Sequence, residues 1–161
     1  MSNRMNRIFW LVGQSGTGKT VLGERLHKFL TTEKRNWRRD VFHLDEKYIR
    51  ELCNNTDYTK KGDNLNTTTI QLMASMLYDA GCDVVVSSIS PTLRLRESFK
   101  ESNPNVVEIL LHTDSPRETE RSFNPEFELP EMNFIDINTT KHKPDKAFSK
   151  IINLLTKSDK L

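Results

Sequence analysis

The sequence predicts an α/β fold in which a parallel sheet of about five strands is flanked by helices. Short apolar runs alternate with segments of helical periodicity, and no repeat or linker interrupts them. The clearest run, Val84–Val86, is β-branched and has no polar alternation, as is typical of a parallel strand buried on both faces. Strands that alternate with helices favour right-handed crossovers and a ligand crevice at the carboxyl ends of the strands.

Size and composition narrow the class of protein. The chain has 161 residues, of which 35% are hydrophobic and 29% charged, with a formal net charge of +2. These values suit one globular domain over residues 1–161 and exclude a disordered chain. The small net charge does not indicate a nucleic-acid or membrane partner, and no apolar run reaches the roughly 18 residues of a membrane span. Cys53 and Cys82 have no metal-ligand spacing, so we expect reduced thiols and a cytoplasmic protein.

The first half of the chain holds two predicted strands. Ile8–Val12 is an apolar run that is too short for the apolar region of a signal peptide, so we expect a buried strand there. A helix from about Lys19 to Leu30 follows, since its apolar residues recur at helical spacing. A second strand is predicted at Val41–Leu44 and a short helix at Lys47–Cys53. The polar segment Asn54–Asn66 is rich in turn-forming residues and predicts a surface loop.

The second half continues the alternation. A helix is predicted at Thr67–Asp79, with Gly81 as its C-terminal stop signal. The Val84–Val86 strand comes next. The remaining predicted elements are a helix at Leu93–Ser102, strands at Val106–Leu111 and Asn133–Ile137, and a closing helix at Pro144–Lys157.

A phosphate-binding motif lies between the first strand and the first helix. The segment Gly13–Thr20 matches G-x-x-x-x-G-K-[ST] without a mismatch. Its glycines let successive backbone N–H groups converge on phosphate oxygens, and the following helix adds the positive end of its dipole. The residues expected to hold ATP are Gly13, Ser15, Gly16, Thr17, Gly18, Lys19 and Thr20. Lys19 would also stabilise the transferred phosphoryl group, and Thr20 would be a ligand of Mg²⁺.

Motifs that are absent from the sequence favour a small kinase. The chain has neither the NKxD nor the DxxG motif of a GTPase, and it is short for a motor or an AAA-type ATPase. The central strand ends in Ser87-Ser88 rather than in acidic residues. Among P-loop proteins, a kinase that phosphorylates a metabolite fits best, with ATP and Mg²⁺ as the expected cofactors.

An acidic pair follows the second strand. Asp45 and Glu46 should lie beside the phosphate loop, where an acid can accept the proton of a substrate hydroxyl or hold Mg²⁺. Asp45 is the first candidate for both roles and Glu46 the second. The alternative is that Asp45 caps the following helix, and the two roles are compatible. Arg121 is the candidate for a lid arginine that neutralises transition-state charge.

Five segments, taken in order, carry a resemblance to a known family. They are WLVGQSGTGKT, HLDEKYIREL, DAGCDVVVSSISP, VEILLHT and FELPEMNFIDINTT. Over nearly the whole chain, roughly residues 9–155, they resemble adenylyl-sulfate kinase (APS kinase). The I-S-P piece is the most specific, because it belongs to no general P-loop pattern. The resemblance implies phosphoryl transfer from ATP to a hydroxyl of adenylyl sulfate. The acceptor-contacting residues that it implies are Arg50, Asn66, Ile89, Ser90 and Pro91.

The sequence departs from the family pattern at three places. Lys47 stands where the family has an acid that is often assigned the catalytic role, and Asp63 falls on a substrate-binding arginine. The lid after Arg121 is markedly shorter. These departures leave two alternatives open: a kinase that phosphorylates another hydroxyl, such as that of a nucleoside-like alcohol, a sugar or a hydroxymethylated DNA base, or a non-catalytic nucleotide-binding module.

The sequence gives weaker indications of macromolecular partners than of the acceptor. The basic stretch Lys34–Arg39 could contact a nucleic acid, but a solvated loop with Trp37 packed down is the favoured interpretation. A membrane partner is not expected, and a homodimer is left open. The four histidines have no ligand spacing, so structural or surface roles are expected.

Overall fold

The computed structural model describes residues 5–32, 40–114, 123–140 and 143–161. In these residues five parallel strands form one sheet in the order β2-β3-β1-β4-β5. The strands are β1 (Ile8–Val12), β2 (Val41–Asp45), β3 (Asp83–Ser87), β4 (Val106–His112) and β5 (Phe134–Asn138). The helices are α1 (Lys19–Thr32), α2 (Glu46–Leu52), α3 (Lys60–Asp79), α4 (Leu93–Ser102) and α5 (Pro144–Lys157). The predicted α/β class and parallel sheet are therefore confirmed.

Strand β1 lies at the centre of the sheet. Its first residue, Ile8, is in register with Val84 of β3 and with Val106 of β4. All five residues of β1 and all five of β3 are buried, which explains the unbroken apolar runs Ile8–Val12 and Val84–Val86. Because these parallel strands end at the same edge, the loops after β1, β2 and β3 meet there.

The two faces of the sheet carry separate cores. Phe9 and Leu11 pack on the face covered by α1 and α5. Trp10 lies on the opposite face with residues of α2, α3 and α4, and its ring meets that of Phe99 edge-on at 5.2 Å. Burying a side chain of this size stabilises the fold by about 1.5–3 kcal/mol. The sheet is thus a rigid platform between two helical layers.

The predicted loop at Asn54–Asn66 is wrong in its second half, because α3 begins at Lys60. Thr59 caps the helix by accepting a hydrogen bond from the Gly62 amide. Gly62 packs against Asp57 so closely that a Cβ atom would lie 2.1 Å from its carbonyl oxygen. This contact and the burial of the adjoining polar residues outweigh the poor helix propensity of Gly and Asn. Asn66 therefore lies within a helix. In the part of the chain that the structure describes, no helix is long and apolar enough to cross a membrane.

Candidate functional site

The turn after β1 has the backbone geometry that its glycines were expected to allow. Gly13, Gly16 and Gly18 have φ angles of 145°, 79° and 93°, which favour glycine. A Cβ atom on Gly13 would also lie 2.1 Å from the carbonyl oxygen of Leu111 in β4. The loop thus depends on glycine both for its turn and for its close approach to the sheet.

Two polar side chains of this loop, Thr17 and Lys19, fold back on its own backbone. The Gln14 carbonyl accepts hydrogen bonds from Lys19 Nζ at 2.7 Å and from Thr17 Oγ1 at 2.9 Å. The first turn of α1 contains no acidic residue of its own, so the positive end of the helix dipole is not offset from within the helix. The ammonium group and the helix end together make this loop a site for an anion.

Asp45 bridges β2, α2 and the start of α1. Its Oδ2 accepts a hydrogen bond from the Thr20 hydroxyl at 2.7 Å, and its Oδ1 accepts one from the Lys47 amide at 3.0 Å. The second contact caps α2, so Asp45 caps the helix and faces the phosphate loop at once. Glu46 instead accepts a hydrogen bond from the Ile89 amide at 2.6 Å and thereby joins α2 to the segment after β3.

A cleft of about 1350 Å³ opens at this edge of the sheet. The phosphate loop and Asp45 form one side, and residues of α2, of the loop before α3 and of residues 123–126 form the other. The predicted site residues that line it are Ser15, Gly16, Gly18, Lys19, Thr20, Asp45, Arg50 and Ile89. Most of the residues that the sequence proposed are therefore gathered in one cavity.

Arg50 is bound on several sides by the protein itself. It is 5% exposed and forms a 2.5 Å ion pair with Asp63, which is 3% exposed. Its guanidinium also donates to the Asp57 carbonyl at 2.8 Å and lies 4.6 Å from the centre of the Tyr58 ring. A guanidinium with these partners has less capacity for an acceptor anion than a free one would have.

Three other proposed acceptor residues are not part of the cleft surface. Asn66, Ser90 and Pro91 are buried and do not line the large cleft. Ser90 has a positive φ of 44° and a carbonyl that accepts a hydrogen bond from Arg96. Asn66 Oδ1 is buried and has no hydrogen-bond partner among the described residues. Ser90 and Pro91 follow Ile89 directly in the chain and so belong to the segment that carries the Ile89 wall.

Arg96 anchors this region from within the core. It is fully buried and pairs with Glu108 at 2.8 Å, and it also donates to the carbonyls of Ser90 and Glu128. Burial lowers the pKa of Arg96, while the charge of Glu108 opposes that change. Its contacts with Glu108, Ser90 and Glu128 give Arg96 a structural role.

His43 is a residue of β2, two positions before Asp45, and its ring faces Gly23 of α1. Its Nε2 lies 2.8 Å from Ser87 Oγ, and Ser87 Oγ donates to the Lys19 carbonyl at 3.1 Å. Gly23 allows α1 to approach this pair, since a Cβ atom there would lie 2.2 Å from Ser87 Oγ. Burial lowers the pKa of His43; Asp45 and Glu24 act in the opposite direction, and His27 acts with burial.

A second, smaller cavity of about 290 Å³ lies on the other side of the phosphate loop. Sequence reasoning missed it, although the FIDINTT segment that contributes to it was singled out. Three separate parts of the chain form its walls. Its lining residues include Gly16, Thr17, Gly18, Thr113, Thr139, Thr140, Lys143 and Pro144.

Two predicted features lie outside the described residues: the lid candidate Arg121 and the basic stretch Lys34–Arg39 with Trp37. Both remain sequence predictions.

Comparison with known proteins gives several relatives of stated activity. A protein named adenylyl-sulfate kinase from Pseudomonas aeruginosa is 29% identical over 92% of this chain and 84% of its own length. Cytidine diphosphoramidate kinase from Campylobacter jejuni is 28% identical over 66% of this chain and 61% of its own length. The Mycobacterium tuberculosis APS kinase, solved with AMPPNP and APS, superposes with a TM-score of 0.78 at 18% identity. It covers 94% of this chain and 98% of its own, which indicates a shared fold.

The family model for adenylylsulphate kinase matches residues 5–126, a stretch that runs from the first strand to the far wall of the large cleft. Because the match includes both walls of that cleft and well over half of the chain, the chain belongs to the adenylylsulphate kinase family.

Proposed function

We propose that the protein is an ATP-dependent kinase that phosphorylates an alcohol hydroxyl, and that adenylyl sulfate is its acceptor. The observation that carries the proposal is the pairing of Thr20 with Asp45 at 2.7 Å. It brings a phosphate loop and a carboxylate together at the mouth of one cleft, as phosphoryl transfer requires.

The two cavities divide the substrates between them. The triphosphate would lie on the loop, with its β- and γ-phosphates toward Lys19 and the large cleft. The nucleoside would then extend into the smaller cavity beside Thr113 and Thr139. The hydroxyl groups there can donate or accept hydrogen bonds as the base and ribose require.

The donor atoms beside the loop fit Mg²⁺. The Thr20 hydroxyl and the Asp45 carboxylate are hard oxygen groups in contact, and Mg²⁺ prefers such oxygens together with phosphates and water. Among the described residues, no group of three or more His, Cys, Asp or Glu side chains converges as a metal cage. Thr20 would therefore bind the ion directly and Asp45 would do so directly or through water. The ion would neutralise phosphate charge.

In the transfer step, the acceptor hydroxyl oxygen forms a bond to the γ-phosphorus as the bond to the β–γ bridging oxygen breaks. ADP is the leaving group, and the hydroxyl proton passes to Asp45. Lys19 stabilises the charge on the transferred oxygens. Arg121 stays a prediction for the same task.

The acceptor would occupy the large cleft between Asp45 and Arg50. Ile89 contributes an apolar surface, while Asn66, Ser90 and Pro91 are buried outside the lining of the cleft. Tyr58 and Phe123 are exposed aromatic residues of the same cleft, and such rings suit a nucleobase.

The test is direct. Purified protein, adenylyl sulfate and γ-labelled ATP with Mg²⁺ should yield labelled 3′-phospho-APS. The assignment fails if the protein binds an ATP analogue but transfers no label to adenylyl sulfate at high concentration.

A second candidate acceptor is a different nucleotide, such as a cytidine derivative. The specific observation that favours it is the Arg50–Asp63 ion pair. Asp63 neutralises the charge of Arg50, which is the arginine that the family resemblance assigns to adenylyl sulfate. The relationship to cytidine diphosphoramidate kinase points the same way. Assaying cytidine and adenosine nucleotides in parallel, by label transfer from ATP, distinguishes the two acceptors. A single domain and a homodimer stay predictions.

A further inference from the structure

We propose that Asn124 is a positioning residue that couples the phosphate loop to the acceptor wall, through Gln14 on one side and Asp63 on the other. This inference rests on the proposed function, because it concerns how the donor and acceptor sites of that reaction communicate.

The first link joins Gln14 to the backbone of Asn124. Gln14 Nε2 donates to the Asn124 carbonyl at 2.8 Å, and the Asn124 amide donates to Gln14 Oε1 at 3.0 Å. One side chain of the phosphate loop therefore holds both main-chain polar groups of a residue 110 positions away. Such a pair of bonds fixes orientation as well as distance.

The second link joins the side chain of Asn124 to α3. Its Nδ2 donates to Asp63 Oδ2 at 2.8 Å, and its Oδ1 accepts from the Glu126 amide at 2.9 Å. Asn124 is 7% exposed. All of its polar groups are hydrogen-bonded, so its orientation is fully specified.

The path continues across the wall of the cleft. The other oxygen of Asp63 binds Arg50, which in turn donates to the Asp57 carbonyl. Because Arg50, Asp63 and Asn124 are buried, the low local dielectric strengthens each of these contacts. A continuous series of hydrogen bonds therefore runs from the phosphate loop to the segment before α3.

Phosphate binding is expected to act on Gln14, the residue at which this series of hydrogen bonds begins. Lys19 donates to the Gln14 carbonyl in this structure, and a bound triphosphate offers the ammonium a stronger partner. Backbone N–H groups of the loop then hold the phosphate and restrain Gln14. Asn124 transmits the restraint to Asp63. The acceptor wall is therefore already ordered when the acceptor binds, so that acceptor binding costs less conformational entropy. Donor and acceptor should consequently bind more tightly together than apart, and the effect must be reciprocal.

Hydrogen exchange tests the coupling without any acceptor. Wild-type protein and Asn124→Ala are compared with and without a non-hydrolysable ATP analogue and Mg²⁺. In the wild type, the analogue should increase protection over residues 57–63. In N124A this increase should be lost, although the analogue still binds. Gln14→Leu should also lose this increase in protection, and the double variant should lose no more of it than either single one.

The matched control is Asn105→Ala. Asn105 donates to the Tyr78 hydroxyl and precedes β4, at the opposite end of the sheet. The substitution therefore removes an asparagine hydrogen bond without touching the path. N105A should retain the wild-type increase in protection, so that any loss in N124A cannot be assigned to general destabilisation.

Two results would overturn the proposal: no analogue-induced protection over residues 57–63 in the wild type, or full protection in N124A. With adenylyl sulfate, the factor by which the ATP analogue tightens acceptor binding should be at least about five-fold lower in N124A. An absence of any turnover of adenylyl sulfate would instead contradict the proposed function and leave the exchange result standing.

Discussion

Thr20 and Asp45 are joined by a 2.7 Å hydrogen bond between the start of α1 and the end of β2. Asp45 at the same time caps α2 through the Lys47 amide. The residue that would accept the substrate proton is therefore fixed by two elements of the fold. This arrangement suits catalysis by positioning. A substitution that keeps the two hydrogen bonds of Asp45 but removes its basicity can therefore test its chemical role apart from its structural one.

Asp45→Asn should lower kcat by about 10²–10⁴-fold, because an amide cannot accept the hydroxyl proton. Asparagine is as good a helix cap as aspartate, so the thermal stability should change little. The measurement is steady-state label transfer from ATP, with binding of an ATP analogue followed in parallel.

Asp145→Asn is the matched control, since Asp145 is 86% exposed and pairs with Arg25 at the surface. It should keep wild-type turnover. If D45N also retains turnover close to that of the wild type, Asp45 is not the proton acceptor.

The close approach of α1 to the sheet gives a second prediction. Gly23→Ala gains up to about 1 kcal/mol of helix propensity. However, its Cβ atom would lie 2.2 Å from Ser87 Oγ and 2.7 Å from His43 Nε2, and overpacking of this kind costs about 1–3 kcal/mol. We expect a net loss in the free energy of unfolding, measured by urea titration.

Ser87→Ala provides the matched test of that clash, because it removes the nearer atom. The double variant G23A/S87A should lose less stability than the sum of the single variants. Additive losses would mean that the contact with Ser87 does not limit the approach of α1.

Because Arg50 and Asp63 form a buried ion pair, we expect that substituting Arg50 lowers the stability of the fold and not only the affinity for the acceptor. Arg50→Met leaves Asp63 in a buried site without its cation, which should lower the free energy of unfolding by about 3–5 kcal/mol. Asp63→Asn in the same chain should restore part of the loss. Urea unfolding of the single and double variants measures both effects.

Arg25→Met removes the exposed ion pair with Asp145 and should cost under about 1 kcal/mol. A different outcome for R50M, namely wild-type stability with a raised KM for the acceptor, would make Arg50 a substrate ligand and not a wall residue.

The sequence could predict those features of the fold and the site that adjacent residues encode, but not those that depend on contacts between distant residues. The phosphate loop and the strand at Val84–Val86 were predicted because their signals lie in adjacent residues. The start of α3 was not, because Gly and Asn have poor helix propensity and the packing of Gly62 against Asp57 is what offsets it, although Thr59 is a helix-capping residue. Likewise, the Arg50–Asp63 pair joins two different helices, so the sequence could propose Arg50 as an acceptor ligand but could not identify its partner.

The environment of His43 predicts how the free energy of unfolding depends on pH. Burial lowers the pKa of His43 from its ordinary value of 6.5, against the opposing effect of Asp45 and Glu24 and with the help of His27. The unfolded chain therefore binds a proton near pH 6.5 that the folded protein takes up only at lower pH. The free energy of unfolding should fall as the pH drops below 6.5, by at most about 1.4 kcal/mol for each pH unit from this group.

His43→Gln isolates this contribution, since glutamine can still hydrogen-bond Ser87 but does not titrate. Urea unfolding at pH 7.5 and pH 5.5 should give a larger loss of stability on acidification for the wild type than for H43Q. Equal losses in the two proteins would contradict the prediction, because they would mean that other groups carry the whole pH dependence. A larger loss in H43Q would reverse its sign, and would require His43 to gain rather than lose proton affinity on folding.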